Sequence, residues 1–189
     1  MHDGDGCPLP QEDINYSFLW MRDDYQELMA RVVEQIYKLE QNRTTFRYTY
    51  LENFFVEKNA KDHHEVKEKQ DCFLKDLIER RHEDPDFMKF VFSVIAHFHP
   101  DRRRQFVALF LEHNKSFEVF QGLPFEPNVW GWTGSAVPML QKRAEYFESL
   151  LPLLNTVDLL QHKQCVEKQI QRIRSEYIER EKKRAFMED

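Results

Sequence analysis

A histidine followed by a glutamate is the pattern in this sequence that comes nearest to metal chemistry. His63 and His64 precede Glu65. A zinc protease needs a second histidine four residues after the first, because that spacing puts both imidazoles on one helical face beside the glutamate. Glu68 stands at that position instead. We interpret these residues as a polar helix terminus and predict no metal site and no cofactor.

Other catalytic patterns also fail on spacing. His97 and His99 are two residues apart, which in a helix directs their side chains about 200° apart. A helical ribonuclease of the arginine–histidine type needs a histidine about five to seven residues after the arginine, within two helical turns, whereas Arg104 and His113 are nine apart. No histidine–acid pair accompanies the three cysteines, Cys7, Cys72 and Cys165. The sequence favours a noncatalytic protein, and an enzyme whose residues converge only in space stays an alternative.

Three consecutive arginines, Arg102, Arg103 and Arg104, follow Pro100 in the first turn of a predicted helix. Cations are unfavourable there because the positive end of the helix dipole lies at the N-terminus, and this misfit indicates a function. The planar guanidinium suits carboxylate or phosphate partners, so an acidic protein surface and a nucleic-acid backbone are both candidates. In the alternative interpretation, Asp101 and neighbouring acids neutralise the arginines on a solvated face.

An aromatic connector, which we define as residues 122–138, separates two strongly helical parts of the chain. It contains Trp130 and Trp132, and Gly131 and Gly134 allow the backbone between and after them to turn freely. Large rings in such a loop either anchor it to the core or form a hot spot for a partner. Both interpretations stay open, and the connector is the strongest candidate binding site in the sequence.

Composition indicates a soluble, helical chain. Of the 189 residues, 41% are hydrophobic and 32% are charged, and five glycines and eight prolines leave little material for β-turns. The net charge of -6 argues against a general nucleic-acid binder. The cysteines are odd in number and widely spaced, there is no secretion signal, and no apolar run approaches the roughly 18 residues of a membrane span. We predict a cytoplasmic protein with reduced thiols and no membrane partner.

Helical periodicity of the apolar residues predicts an all-α fold of about seven helices, either a helical bundle or a short array of antiparallel hairpins. We expect a flexible lead-in over residues 1–13 and a single helical domain over 14–189. The first predicted segments are a long helix over 16–41, an aromatic-rich segment over 46–55 for which helix is favoured and strand stays an alternative, and a helix that follows polar residues 57–69 and ends near 82. Two helices beginning at 85 and 100 should pair as an antiparallel hairpin. A short turn over 116–121 and a helix from 135 to 154 follow.

The last predicted helix opens at Asn155-Thr156 and carries an apolar stripe in a heavily charged background. Its members keep three-and-four spacing, and they are Leu159, Val166, Ile170, Ile173 and Tyr177. This stripe predicts packing either on the domain or on a second chain as a coiled coil, which makes oligomerisation possible.

The segment from Asp84 to Leu154 resembles the helical-repeat, HEAT-like C-terminal arms of large bacterial signalling NTPases. The resemblance lies in "DPDFMKFVFSVIAHFHPDRRRQFVALFLEHN" and "WGWTGSAVPMLQKRAEYFESLLPLL", and the chain has no Gly-rich phosphate loop of its own. It implies recognition or scaffolding in a larger assembly.

The leading hypothesis is a noncatalytic interaction domain that binds a protein through Trp130, Trp132 and the Arg102–Arg104 edge. The alternative is a nucleic-acid-associated helical protein. Its binding face would combine the arginine cluster with further basic residues, namely Lys142, Arg143, Arg172 and Arg174.

Overall fold

The computed structural model describes residues 16–42, 51–55, 64–126 and 136–185. Every regular element within these ranges is a helix, which confirms the prediction of an all-α helical bundle. The chain divides into two compact units, residues 1–74 and 75–189, and each is described below by itself. The predicted single domain over 14–189 concerns independent folding and stays a prediction.

The first unit begins with a 3-10 helix at Tyr16–Met21, followed by α1 at Tyr25–Gln41. The predicted continuous helix from 16 to 41 is therefore wrong at its start. Between the two elements the Arg22 guanidinium pairs with the Asp24 carboxylate at 2.7 Å. Side chains two residues apart do not face each other on a helix, so this ion pair fits the observed turn.

Trp20 is the centre of the first unit. It is fully buried, and its ring lies 5.2 Å from that of Phe55, 5.6 Å from Phe73 and 5.8 Å from Tyr25, between centroids. Its indole Nε1 donates a 2.7 Å hydrogen bond to the carbonyl of Phe54. A buried tryptophan needs such an acceptor for its N–H, and here short helix α2, Leu51–Phe55, supplies it.

Helix α3 spans His64–Arg81 and starts earlier than the polar sequence of 57–69 suggested. Charged and polar residues four apart pair along it, including Lys69 with Glu65 at 2.8 Å and His64 with Glu68 at 3.2 Å. Such pairs stabilise a helix by only a few tenths of a kcal/mol each. They explain how a segment with few apolar residues remains helical.

The described residues of the second unit after α3 form six α-helices with short 3-10 and π segments. These are α4 Pro85–Ile95, α5 Pro100–His113, α6 Phe117–Gln121, α7 Val137–Leu150, 3-10 turns at Leu151–Leu154 and Val157–Leu159, α8 Leu160–Arg172, a π-helix at Ile173–Ile178, and α9 Glu179–Ala185.

Aromatic ring contacts join α5 to α4 and to the connection that follows α4. The Phe92 and Phe110 rings lie 5.7 Å apart, and those of Phe98 and Phe106 lie 6.1 Å apart. Phe92, which is earlier in the chain than Phe98, contacts the later of the two partners, and this is the order expected for an antiparallel hairpin. Both helices have proline in the first turn, where a missing N–H costs nothing.

The predicted turn at 116–121 is a short helix, α6, with the Ser116 hydroxyl near the Val119 amide at 3.5 Å.

Two predictions for the C-terminal part are wrong in detail. Helix α7 ends at Leu150 instead of Leu154, and a 3-10 turn follows, because Pro152 lacks an N–H and crowds the preceding turn. In the last helix Ile178 is buried while Tyr177 is only half-buried. The π-helix there bonds i to i+5, and its wider turn moves the inward position on by one residue. The apolar stripe of the last helix packs on α7 within the chain.

Asp84 is the N-cap of α4. Its Oδ1 accepts a 3.0 Å hydrogen bond from the Phe87 amide, and its Oδ2 accepts one of 2.9 Å from Arg81. Burial opposes the charged carboxylate, but these two donors outweigh it and hold the pKa of Asp84 below its ordinary value. The cap thus fixes the start of the most apolar helix.

Asp84→Ala should lower the free energy of unfolding by about 1 kcal/mol, because it removes the acceptor for an orphan helix amide. Asp84→Asn keeps a side-chain oxygen at the cap and should lose less. Urea denaturation followed by circular dichroism measures both. Equal losses in the two variants would contradict the capping role.

His162 is a buried histidine that the sequence did not single out. It is 1% exposed, and its ring lies 4.7 Å from that of Phe120 and 5.5 Å from that of Phe117. Neither ring nitrogen has a hydrogen-bond partner among the described residues. Burial lowers the pKa of His162, and the backbone of Ser116 opposes this effect only in part. Burial thus favours the neutral imidazole in the folded protein.

The free energy of unfolding should fall as the pH drops below about 6.5. In this range His162 binds a proton in the unfolded chain more readily than in the folded chain, so protonation favours unfolding. His162→Leu should flatten this pH dependence. His97→Ala, which removes an exposed histidine, is the control. Denaturation of the three proteins between about pH 5.5 and 7.5 tests the prediction, and parallel curves for wild type and His162→Leu would contradict it.

Candidate interaction site at the ends of the connector

The first two residues of the arginine cluster are buried. Arg102 is 3% exposed and Arg103 is 9% exposed, while Arg104 is half-buried. The alternative of a solvated face is therefore wrong for Arg102 and Arg103. Burial of a charge costs several kcal/mol unless other groups offset it, so the surroundings of these side chains matter.

Aromatic faces cover both buried guanidinium groups. The Arg102 Cζ lies 3.8 Å from the ring centroid of Phe98, and the Arg103 Cζ lies 4.1 Å from that of Tyr146. A guanidinium is weakly hydrated and stacks well on rings, and a desolvated cation–π contact contributes about 2 kcal/mol. These contacts offset part of the cost of placing cations at the positive end of α5.

Arg103 also holds the start of the connector. Its Nη1 donates a 3.0 Å hydrogen bond to the carbonyl of Phe125. The next residue, Glu126, pairs with Arg143 of α7 at 2.5 Å. Burial raises the pKa of Glu126, although Arg143 and then Arg103 oppose this shift. Helices α5 and α7 together fix residues 125 and 126.

The other end of the connector is fixed by the C-terminal helix. Ala136 is buried, and its backbone N–H donates a 3.2 Å hydrogen bond to Oε1 of Glu181 in α9. Trp130 and Trp132 lie outside the described residues, in the interval 127–135 between these two anchors. What the structure provides is thus a fixed residue on each side of the tryptophan segment.

Tyr146 contributes a ring and not a proton donor to this cluster. It is buried, and burial raises its pKa to about 12, with Arg103 opposing and Glu126 reinforcing the shift. Its hydroxyl has no hydrogen-bond partner among the described residues. A phenol with so high a pKa stays neutral at physiological pH, which suits it to stacking on Arg103.

The basic residues predicted for a nucleic-acid face are largely paired with carboxylates. Lys142 is exposed. The other three form ion pairs, which are Arg143 with Glu126 at 2.5 Å, Arg174 with Glu148 at 2.5 Å, and Arg172 with Glu176 at 3.5 Å. A surface that tracks phosphates needs an excess of cations, so this pairing favours the protein-partner hypothesis.

Within the ranges that the structure describes, no three histidine, cysteine or acidic side chains are grouped to hold a metal ion. No described helix is long and apolar enough to cross a membrane. No family model, curated protein or solved structure matches the chain. The resemblance to HEAT-like arms of signalling NTPases therefore stays a prediction.

Sequence reasoning found Arg103 but missed the residues that hold Arg103 and the two ends of the connector in place. Tyr146 and Phe125 are far from it in the chain, and Glu181 lies in a charge-rich segment that looked solvated. Neither periodicity nor a motif links these positions. Arginines at the unfavourable end of a helix were the one available signal, and they marked one part of the cluster.

Arg103→Ala should lower the free energy of unfolding by about 3 kcal/mol, because it removes the stack on Tyr146 and the hydrogen bond to Phe125 from a buried site. Arg104→Ala, the same change one residue on at a half-buried side chain, should cost less than about 1 kcal/mol. Urea denaturation measures both, and equal losses would contradict the assignment.

Proposed function

We propose that this chain is a noncatalytic, all-helical interaction domain that binds a protein partner through Trp130 and Trp132. The observation that carries the proposal is the anchoring of the connector on both sides, at Phe125 and Ala136. Binding residues are commonly carried by loops that a rigid scaffold positions. Fixed loop ends reduce the ordering cost of binding, and tryptophan is enriched in interface hot spots.

In this proposal the arginine cluster serves the same interface. Arg102 and Arg103 act from inside, by holding α5 and the start of the connector, and Arg104 lies at the edge of the contact surface. The protein acts in the cytoplasm as a scaffold or as one subunit of a larger assembly, in keeping with the resemblance to helical-repeat arms. The competing nucleic-acid role is an outcome of the same experiment.

The test is affinity purification of the tagged chain from the cells that produce it, with and without nuclease, comparing wild type with Trp130→Ala/Trp132→Ala. We expect one partner protein that survives nuclease treatment and is lost from the double variant. Phe18→Ala is the matched control, because it removes an exposed aromatic ring of the first unit and should leave binding intact.

Thermal denaturation establishes that each variant is folded, so that loss of binding reports on the contact itself. Recovery of nuclease-sensitive material, with binding that weakens steeply as salt rises, would replace the proposal by the nucleic-acid role. Equal recovery of the partner with wild type and the double variant would overturn the assignment of the tryptophans.

A further inference from the structure

The π-helix at Ile173–Ile178 lies in the middle of an otherwise α-helical segment, between α8 and α9. Hydrogen bonds from i to i+5 are uncommon, and where they interrupt an α-helix they are frequently found at functional sites. A π segment holds one more residue than an α-helix with the same flanking directions. Its return to α geometry would therefore turn the following helix by about one residue, or 100°.

The sequence supplies an apolar side chain for either geometry. In the π form Ile178 is buried and Tyr177 is half-buried. With ordinary α spacing the inward residue four positions after Ile173 is Tyr177. Neighbouring apolar residues thus allow the end of the π segment to pack on α7 in two registers, so this packing does not by itself select one of them.

The same rotation has a different effect one turn further on. In the π register the Glu181 carboxylate accepts the hydrogen bond from the Ala136 N–H. In the α register Arg180 moves into this place, and a guanidinium has no acceptor atom. The connector's C-terminal anchor therefore exists in only one of the two registers.

The flank that moves is α9. Helix α8 is held by buried residues, among them His162 and Val166. Most side chains of α9 are exposed, and they include Glu179, Arg180, Lys182 and Lys183. A change in the π segment is thus transmitted towards Glu181 and not towards α8.

We infer that residues 173–178 form a two-register switch that makes and releases the Glu181–Ala136 anchor. The π register fixes the end of the connector, and the α register frees it. The consequence for partner binding rests on the proposed function of the tryptophans, but the register change itself does not.

Native-state amide exchange of Ala136, measured by NMR, tests the switch without any partner. Deletion of Ser175, an exposed residue of the π segment, leaves a regular α-helix with both flanks in their present register. Because that variant has no second register, the Ala136 amide should exchange at least about tenfold more slowly than in wild type.

Three variants serve as controls. Ser175→Ala keeps the chain length, so its Ala136 amide should exchange at the wild-type rate. Glu181→Ala gives the rate for a released amide, and Glu181→Gln retains an acceptor.

An unchanged Ala136 rate in the deletion variant, with the amides of α7 still protected, would overturn the inference. If the deletion variant does not fold, the denaturant dependence of amide exchange in the wild-type protein tests the switch. The switch predicts that Ala136 exchanges through local opening, with a much weaker denaturant dependence than the α7 amides. The same denaturant dependence at both places would mean global unfolding only and would refute the switch. Neither readout depends on whether Trp130 and Trp132 bind a partner.

Discussion

The buried guanidinium of Arg103 is the constraint around which the second unit is organised. A charge at the positive end of a helix dipole, removed from water, is doubly unfavourable. It is tolerated because the ring of Tyr146 covers it and the carbonyl of Phe125 accepts from it. These groups come from α7 and from the start of the connector, so α5 can bury its first turn only when both are in place.

The contacts that offset the cost of burying Arg103 also fix the position of the connector. Arg103 and Arg143 fix one side of the connector, and Glu181 fixes the other. The two anchors differ in kind. The first is a buried cluster with several mutually supporting contacts. At the second, the Ala136 N–H donates a hydrogen bond to the Glu181 carboxylate, which belongs to a largely exposed helix beyond a π segment. Release is therefore expected at the second anchor, while the first stays formed.

Local signals allowed much of the fold to be predicted. Asp84 and Pro85 mark the start of α4, Pro100 marks that of α5, and both helices begin there. Failures occurred where a distant contact decides the local structure. The first helix breaks before Tyr25 and the last inward position moves to Ile178, because packing and helix geometry override simple periodicity.

The candidate site shows the same division. An arginine run at a helix start could be recognised as unusual from the dipole alone, but its burial could not. That burial depends on Tyr146 and Phe125, whose proximity arises only in the folded chain. Trp20 is a parallel case, since its role as the aromatic centre of the first unit comes from Phe55 and Phe73, which belong to other helices.

A double-mutant cycle between Arg103→Met and Tyr146→Leu tests the central claim most directly. The free energies of unfolding of wild type, both single variants and the double variant give the coupling between the two side chains. A stacked, desolvated pair should show a coupling of about 1 to 2 kcal/mol. Additivity within about 0.5 kcal/mol would mean that the ring does not stabilise the buried charge, and would contradict the account.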